Sequence, residues 1–368
     1  MNSILSAVFL SAICTTMVSR TLGQGCVALR GSGPASCTFT HPDEDRSDKW
    51  IFSMGARYFK SYKHFKGSHE QKERVLNGTA VINHQTAIDL TITRLINSRW
   101  SVMADVPLLA NARSSLYEHG LINGVNPYNQ RHSMHSYGLG DIRVAVYRWL
   151  LDPQRHKSGN IQAGLGIKFA TGDYDYKDYW YNVGPDGSRE LRTVDQSVQL
   201  GDGGTGLTVE INAYQYFSRH FGVYGNVYYL SNPREQNGVR TYRETLTPAL
   251  ANEAICSVPD QYLARVGVNY MANGFNAALG ARLEGIPVND LIGGSGDFRR
   301  PGYVISLEPN VSYAFKKMNV FAGVPVALVR NRTQSVTDKA RSTPTNKVTG
   351  DAAFADYVIN VGLSVRFR

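Results

Sequence analysis

The chain has 368 residues, a formal net charge of +9, 42% hydrophobic residues and only 19% charged ones. The basic residues are scattered, with no basic tract, so the charge does not point to nucleic acid. Glycine (35) and tyrosine (21) are frequent, and no run of helix formers is long enough for a helical domain. That leaves an all-β chain of one large domain or two average ones.

Residues 4–18, ILSAVFLSAICTTMV, form the longest apolar stretch. It is too short to span a bilayer well, and small residues follow it in TLGQG, so 1–25 reads as a secretory signal peptide cleaved between Gly23 and Cys26. A lipidated Cys26 is the alternative, although the leucine that usually stands three residues before such a cysteine is missing. Residues 26–48 read as a periplasmic N-terminal arm. Cys26 and Cys37 enclose a short Gly/Ser/Pro stretch and can pair in an oxidising compartment, with Cys256 left over. No cysteine or histidine spacing resembles a tetrahedral zinc site.

From residue 49 to 368 the pattern changes to period two, and no stretch of 18 apolar residues occurs. Alternating segments fall at 49–60, 84–95, 99–109, 136–149, 160–170, 205–217, 220–231, 260–272, 274–285, 302–315, 318–330 and 355–367. Each is long enough to be a tilted strand across a hydrocarbon layer, which needs about 9–11 residues. The gaps between them alternate short and long. An up-and-down barrel with tight turns at one rim and large loops at the other has this spacing. The expected fold is therefore a transmembrane antiparallel β-barrel of about twelve strands, outer-membrane type, with both ends in the periplasm.

The polar faces carry charges at mid-strand. Arg57, Asp89, Asp105, Arg143, Lys168, Glu210, Arg265, Arg282, Glu284, Glu308 and Arg366 are the candidates to line a lumen. In a small barrel they must satisfy one another, because an isolated buried charge is expensive. Aromatic residues such as Trp50, Trp100, Tyr147, Phe217, Phe221, Tyr270, Phe315 and Phe367 recur near strand ends, where they suit the headgroup level.

Three glycine boxes follow one another: YGLGD (137–141), FATGDY (169–174) and GDGGTG (201–206). Their order resembles the outer-membrane β-barrel family labelled as transporters of the meta-pathway of phenol degradation, whose pattern is GxGD, then PTGD ending a strand, then a GTG box. Gly138, Gly140 and Asp141 match the first; Thr171, Gly172 and Asp173 the second, with Ala170 in place of proline; Gly204, Thr205 and Gly206 the third. The match covers 137–217, and the rest agrees in strand layout only. The resemblance implies a passive pore for small, hydrophobic or aromatic molecules. It supplies no catalytic residue, cofactor or metal. Barrels of this type usually end on an aromatic residue read by the barrel-assembly machinery. Here Phe367 is penultimate and Arg368 is last.

None of the boxes has the phosphate-cradle arrangement, so their glycines read as turn or bend residues and Asp141, Asp173 and Asp202 as turn acceptors that can also cluster at the rim. Asp173, Asp175 and Asp178 are spaced suggestively for a cation but lack the calcium-loop pattern. Tyr174, Tyr176, Tyr179, Trp180 and Tyr181 crowd one long loop, where they can catch a ligand, touch lipopolysaccharide or fold inward as a plug. His132 and His135 lie near Ser133 and Ser136, but no nucleophile elbow exists. The expected function is an outer-membrane passive channel, not an enzyme, with membrane lipid and lipopolysaccharide, the assembly machinery and an undefined small molecule as partners. The alternatives are a structural or adhesive barrel that presents its loops, and a barrel-embedded lipid hydrolase.

Overall fold

The computed structural model describes residues 48–116, 118–119, 130–241 and 246–368. The leader, most of the arm, and Cys26 and Cys37 lie outside the described residues. The polypeptide forms a twelve-stranded antiparallel barrel. The strands are β1 (Trp50–Lys66), β2 (Ile82–Leu95), β3 (Trp100–Ser115), β4 (His132–Leu139 and Arg143–Trp149), β5 (Gly159–Lys168), β6 (Gly206–Tyr216), β7 (Phe221–Ser231), β8 (Gln261–Ala272), β9 (Phe275–Ile286), β10 (Gly302–Phe315), β11 (Met318–Gly323 and Val326–Asn331) and β12 (Ala352–Phe367). Each pairs with its neighbour in sequence. β12 closes the ring on β1, from Trp50↔Phe367 to Phe65↔Ala352.

Several strands run past the expected bounds: β1 extends to Lys66, β3 to Ser115, and β2 and β4 begin at Ile82 and His132. These ends are more polar, and the period-two contrast that marks a lipid-facing strand fades there. Two strands are broken. β4 is interrupted after Leu139, where Gly140 N–H donates to the Pro107 carbonyl at 2.8 Å. β11 is interrupted at Val324 and Pro325, since proline has no N–H for the ladder. Beyond that break, β11 meets β12 only at Val326↔Tyr357. There the Arg330 side chain spans the two strands, donating to the Ala355 carbonyl at 3.0 Å and to Asp356 at 2.6 Å.

The short connections form one rim. Two of them are two-residue turns, Lys316–Lys317 and Asn273–Gly274; in the second both residues have positive φ (51° and 81°), as a type I′ hairpin turn requires. The opposite rim carries the long loops, which among the described residues hold the hairpins Lys177–Trp180 with Glu190–Thr193 and Gln236–Arg240 with Ile255–Ser257, and the short return His69–Glu70 that pairs with the end of β1.

Side chains are sorted inside out. Outward positions are apolar and open: Leu165 is 68% exposed, Val266 62% and Leu328 63%. Inward ones are polar and closed: Asn212 is 1% exposed, Glu308 1% and Arg282 2%. A soluble sandwich would show the reverse, so lipid surrounds this barrel. Trp100, Phe217, Phe221, Tyr270, Phe315 and Phe367 are exposed at strand ends of the short-turn rim, forming an aromatic girdle. Tyr147 does not belong to it. Its position has the inward parity, and the ring is buried in the lumen.

A charge placed on the lipid face meets hydrocarbon. Val266→Arg, at mid-strand, is expected to destabilise the barrel by about 2–4 kcal/mol in equilibrium denaturation from phospholipid vesicles.

Candidate functional site

Alternation in each strand brings the eleven sequence-predicted charges to the inner face. Nine of them make two layers and one interlock. In the first layer, Arg282 grips Glu284 through two bonds of 3.0 and 2.7 Å and reaches Glu308 at 3.3 Å. Arg265 lies 3.3 Å from the other Glu308 oxygen, an ion pair that is not aligned as a hydrogen bond. All four are at least nine-tenths buried. Two guanidiniums and two carboxylates thus balance, which is how such charges survive out of water.

The second layer is centred on Glu210. It accepts from Tyr147 Oη at 2.7 Å, from Asn226 at 3.1 Å and from Arg143 at 3.3 Å. Arg143 also stacks over Tyr228, 5.4 Å from its centroid. Asp105 accepts from Thr91 at 2.9 Å, and Asp89 stands diagonally across from it on β2. Arg57 is buried on the adjacent strand. Arg366 is half-buried at the short-turn end.

The three glycine boxes converge into one interlock. Lys168 Nζ bonds both Asp141 and Asp202. Asp141 also accepts the Gly172 and Asp202 amides at 3.0 and 3.2 Å. Thr171 Oγ1 donates to the Gly140 carbonyl at 2.8 Å and accepts from the Ile142 amide at 2.8 Å. A Cβ on Gly201 would sit 2.5 Å from the Gly172 carbonyl oxygen, and one on Gly172 would sit 2.6 Å from that of Leu200. Glycine is needed there for backbone contact. The interlock fastens both ends of the loop 169–205 to the wall. Asp173 does not join it; its carboxylate accepts the Asp175 amide instead. Asp175 and Asp178 turn to Thr193 and the His135 amide, so the three loop acids do not converge.

The middle of that loop folds into the barrel. Val194, Asp195, Ser197, Val198, Gln199 and Leu200 are all buried, Val198 at 0% exposure. On one side, Gln85 and Asn111 donate to the Ser197 and Val198 carbonyls at 2.8 and 3.3 Å, and Ser136 Oγ also bonds Val198. On the other, Gln196 donates to the Ser257 carbonyl at 3.0 Å. Asp195 ties the sides together. Arg300 forks onto it at 2.9 and 2.7 Å. Arg113, itself forked onto Glu118, lies 3.6 Å away. Burial alone would raise the Asp195 carboxyl, but Arg113 and Arg300 outweigh it and hold the group well below the usual carboxylate range. Beneath this plug is a cavity of about 100 Å³, lined by Pro107, Tyr228, Leu230, Pro259 and Ile286 and by charges including Asp105, Arg143 and Lys168.

The loop aromatics do not act as one exposed patch. Trp180 is buried against Met134, Val194 and Val198. Tyr181 stacks on His132 at 4.4 Å. Tyr176 packs beside Leu200, while Tyr179 and Tyr174 lie under Arg189 and Arg234. With Ser136 bonded to the plug and His132 stacked, these residues do not form a nucleophile–base pair. Cys256 is a buried free thiol, pushed up to about 12 by burial. Sequence reading missed Asp195, Arg300 and Arg113. They come from three separate long connections or strand ends, and no local spacing marks them.

No family profile and no curated protein matches the chain. Among solved structures it is similar to an outer membrane channel from Pseudomonas putida F1, with 11% identity, 87% of this chain and 96% of that chain covered, and a TM-score of 0.54. The Pseudomonas putida toluene transporter TodX (11% identity, 95% and 96% covered, TM-score 0.42) and the Ralstonia pickettii toluene transporter TbuX (10%, 91% and 94%, 0.40) are more distant. The first of these shares the fold of this chain. With its apolar belt, the chain is an outer-membrane β-barrel.

Two outcomes follow from this geometry. Glu308→Ala leaves Arg265 and Arg282 short of a buried partner, and about 3–5 kcal/mol of stability should be lost in urea titration of the refolded barrel. The second concerns pH. Burial first, then His132 beside it, push the His119 imidazole down to about 4 from 6.5, with Asp178 opposing and Arg113 adding to the effect. The His119 ring packs against Trp180 and Tyr181 of the 169–205 loop, so it takes up a proton near pH 6.5 when that loop is released and only near 4 when the loop is packed. The packed loop is therefore favoured above 6.5 and weakens as pH falls through that window, while Asp195 stays ionised. Protease nicking of the loop should rise from pH 6.5 to 4 in the parent protein and stay flat in His119→Phe.

Proposed function

We propose that this protein is a gated passive channel for small molecules, hydrophobic or aromatic ones among them, and that the structure is its closed state. The observation that carries the reading is the segment Val194–Leu200 laid across the lumen and tied to opposite sides through Asp195. A loop with both ends fastened at the Lys168 interlock and its middle held by hydrogen bonds and ion pairs can leave the lumen without unfolding the wall. The apolar lining of the cavity below it, Pro107, Tyr228, Leu230, Pro259 and Ile286, suits cargo with an apolar body. Selection would come from the width left when the plug moves and from the balanced lumen charges. The long loops would then face outside, with the short turns in the periplasm.

A second reading, a barrel that does not transport and presents its loops, is favoured by the Arg265–Glu308–Arg282–Glu284 layer, whose charges are buried and spent on one another. Single-channel recording in planar bilayers decides between them. The parent protein should show rare openings, and Asp195→Asn or Arg300→Gln should raise the open fraction at least about tenfold, since a charge-assisted bond worth about 1.5–3 kcal/mol is lost. A folded barrel that stays silent in all three proteins would refute the channel and leave the loop-presenting reading.

A further inference from the structure

The buried arginines of the long-loop side and three arginines of the short-turn rim differ in their partners. On the long-loop side, Arg113, Arg299, Arg300 and Arg332 each pair with a carboxylate. On the short-turn side, Arg94, Arg99 and Arg148 have no carboxylate partner among the described residues. The nearby acids are engaged: Asp48 holds Lys317 at 2.7 Å, and Asp152 accepts the Gln154 amide at 3.0 Å within its own turn.

These arginines are also arranged. Register places Arg94 opposite Trp50 and Arg148 opposite Trp100, so Trp and Arg alternate across four adjacent strands, β1 to β4. All four side chains have the outward, lipid-facing parity. The Arg94 guanidinium lies 4.7 Å from the Trp50 ring centroid, and that of Arg148 lies 5.1 Å from Trp100. Such stacking fixes the guanidinium plane and leaves its edge N–H groups free. Arg99 stands in the turn between β2 and β3. Tryptophan at this level anchors to the headgroup zone, so the unspent N–H donors lie where lipid phosphates are.

We propose that this row is a binding site for the phosphate of an anionic glycerophospholipid in the leaflet at the short-turn rim, with Arg94, Arg99 and Arg148 as its donors and Trp50 and Trp100 as its platform. Guanidinium forks match phosphate oxygens in two parallel bonds, which a zwitterionic headgroup offers less favourably because its own cation competes. The site goes beyond the channel reading and does not depend on conduction: a silent barrel would keep it.

The test is native mass spectrometry of the refolded full chain released from micelles holding equal amounts of phosphatidylglycerol and phosphatidylcholine, with Arg94→Gln/Arg148→Gln beside it and heat-shifted gel migration to confirm folding. Preferential retention of phosphatidylglycerol, falling roughly fivefold for each guanidinium removed, is the expected result. Equal retention of the two lipids, or undiminished retention by the double variant, would overturn the proposal. A parallel sample with lipid A should show weaker retention than phosphatidylglycerol; the opposite order would overturn the assignment to phospholipid. Should the double variant not fold, Arg99→Gln serves, and unchanged retention there would again overturn the site.

Discussion

A chain in hydrocarbon has no water to satisfy its backbone, so every N–H and C=O there must find another strand. The β1–β12 ladder meets that demand by closing the ring. Everything else follows from closure. Once the sheet is a cylinder, period two divides each strand into a lipid face and a lumen face, and between the two rims the charged residues go inward. Even the place where the ladder lapses, between the upper part of β11 and β12, shows the constraint. There a side chain, that of Arg330, supplies hydrogen bonds across the two strands to the Ala355 carbonyl and Asp356.

Closure also determines what the lumen can be. Charges drawn inside a narrow barrel cannot stand alone, and here they are neutralised in layers. Arg265 and Arg282 face Glu284 and Glu308, Arg143 faces Glu210, and Lys168 faces Asp141 and Asp202. The same chemistry extends upward into the loops, where Asp195 meets Arg113 and Arg300. The wall and the plug are thus built from one kind of contact, the buried ion pair, but with different connectivity. Wall pairs join strands that the ladder already fixes. The Asp195 pairs join segments that only side chains and a few carbonyl contacts hold, so they are the part that can let go.

Much of the wall was legible in the sequence because its rule is local. Alternation from Leu207 to Ala213, or from Ala277 to Leu283, needs only neighbouring residues to be read, and it places Glu210, Arg282 and Glu284 inside. Asn273–Gly274 announces its own turn. The glycine boxes were visible as boxes, and turn or bend was the reading of each; that they interlock was not visible, because Gly172 meets Leu200 and Gly201 only once the loop has folded back. The plug was least legible. Asp195 and Arg300 are joined across two loops, and Trp180 lies among four other aromatics that look equivalent in sequence yet is the one buried against Val194 and Val198. Pro325 did carry a local signal for the break in β11, whereas β4 breaks through the contact between Gly140 and Pro107, which is long-range.

In the proposed closed state the inward loop shields the lumen charges from water. This shielding is tested most directly by solvent access to a single cysteine at Ser306, which is 3% exposed and lies opposite Arg282 in the first charge layer. With Cys26, Cys37 and Cys256 replaced by serine, Ser306→Cys in the refolded barrel should resist a soluble thiol reagent and become reactive when Asp195→Ala is added. Rapid modification with Asp195 intact would mean that water already reaches the layer, and that the loop does not close the path.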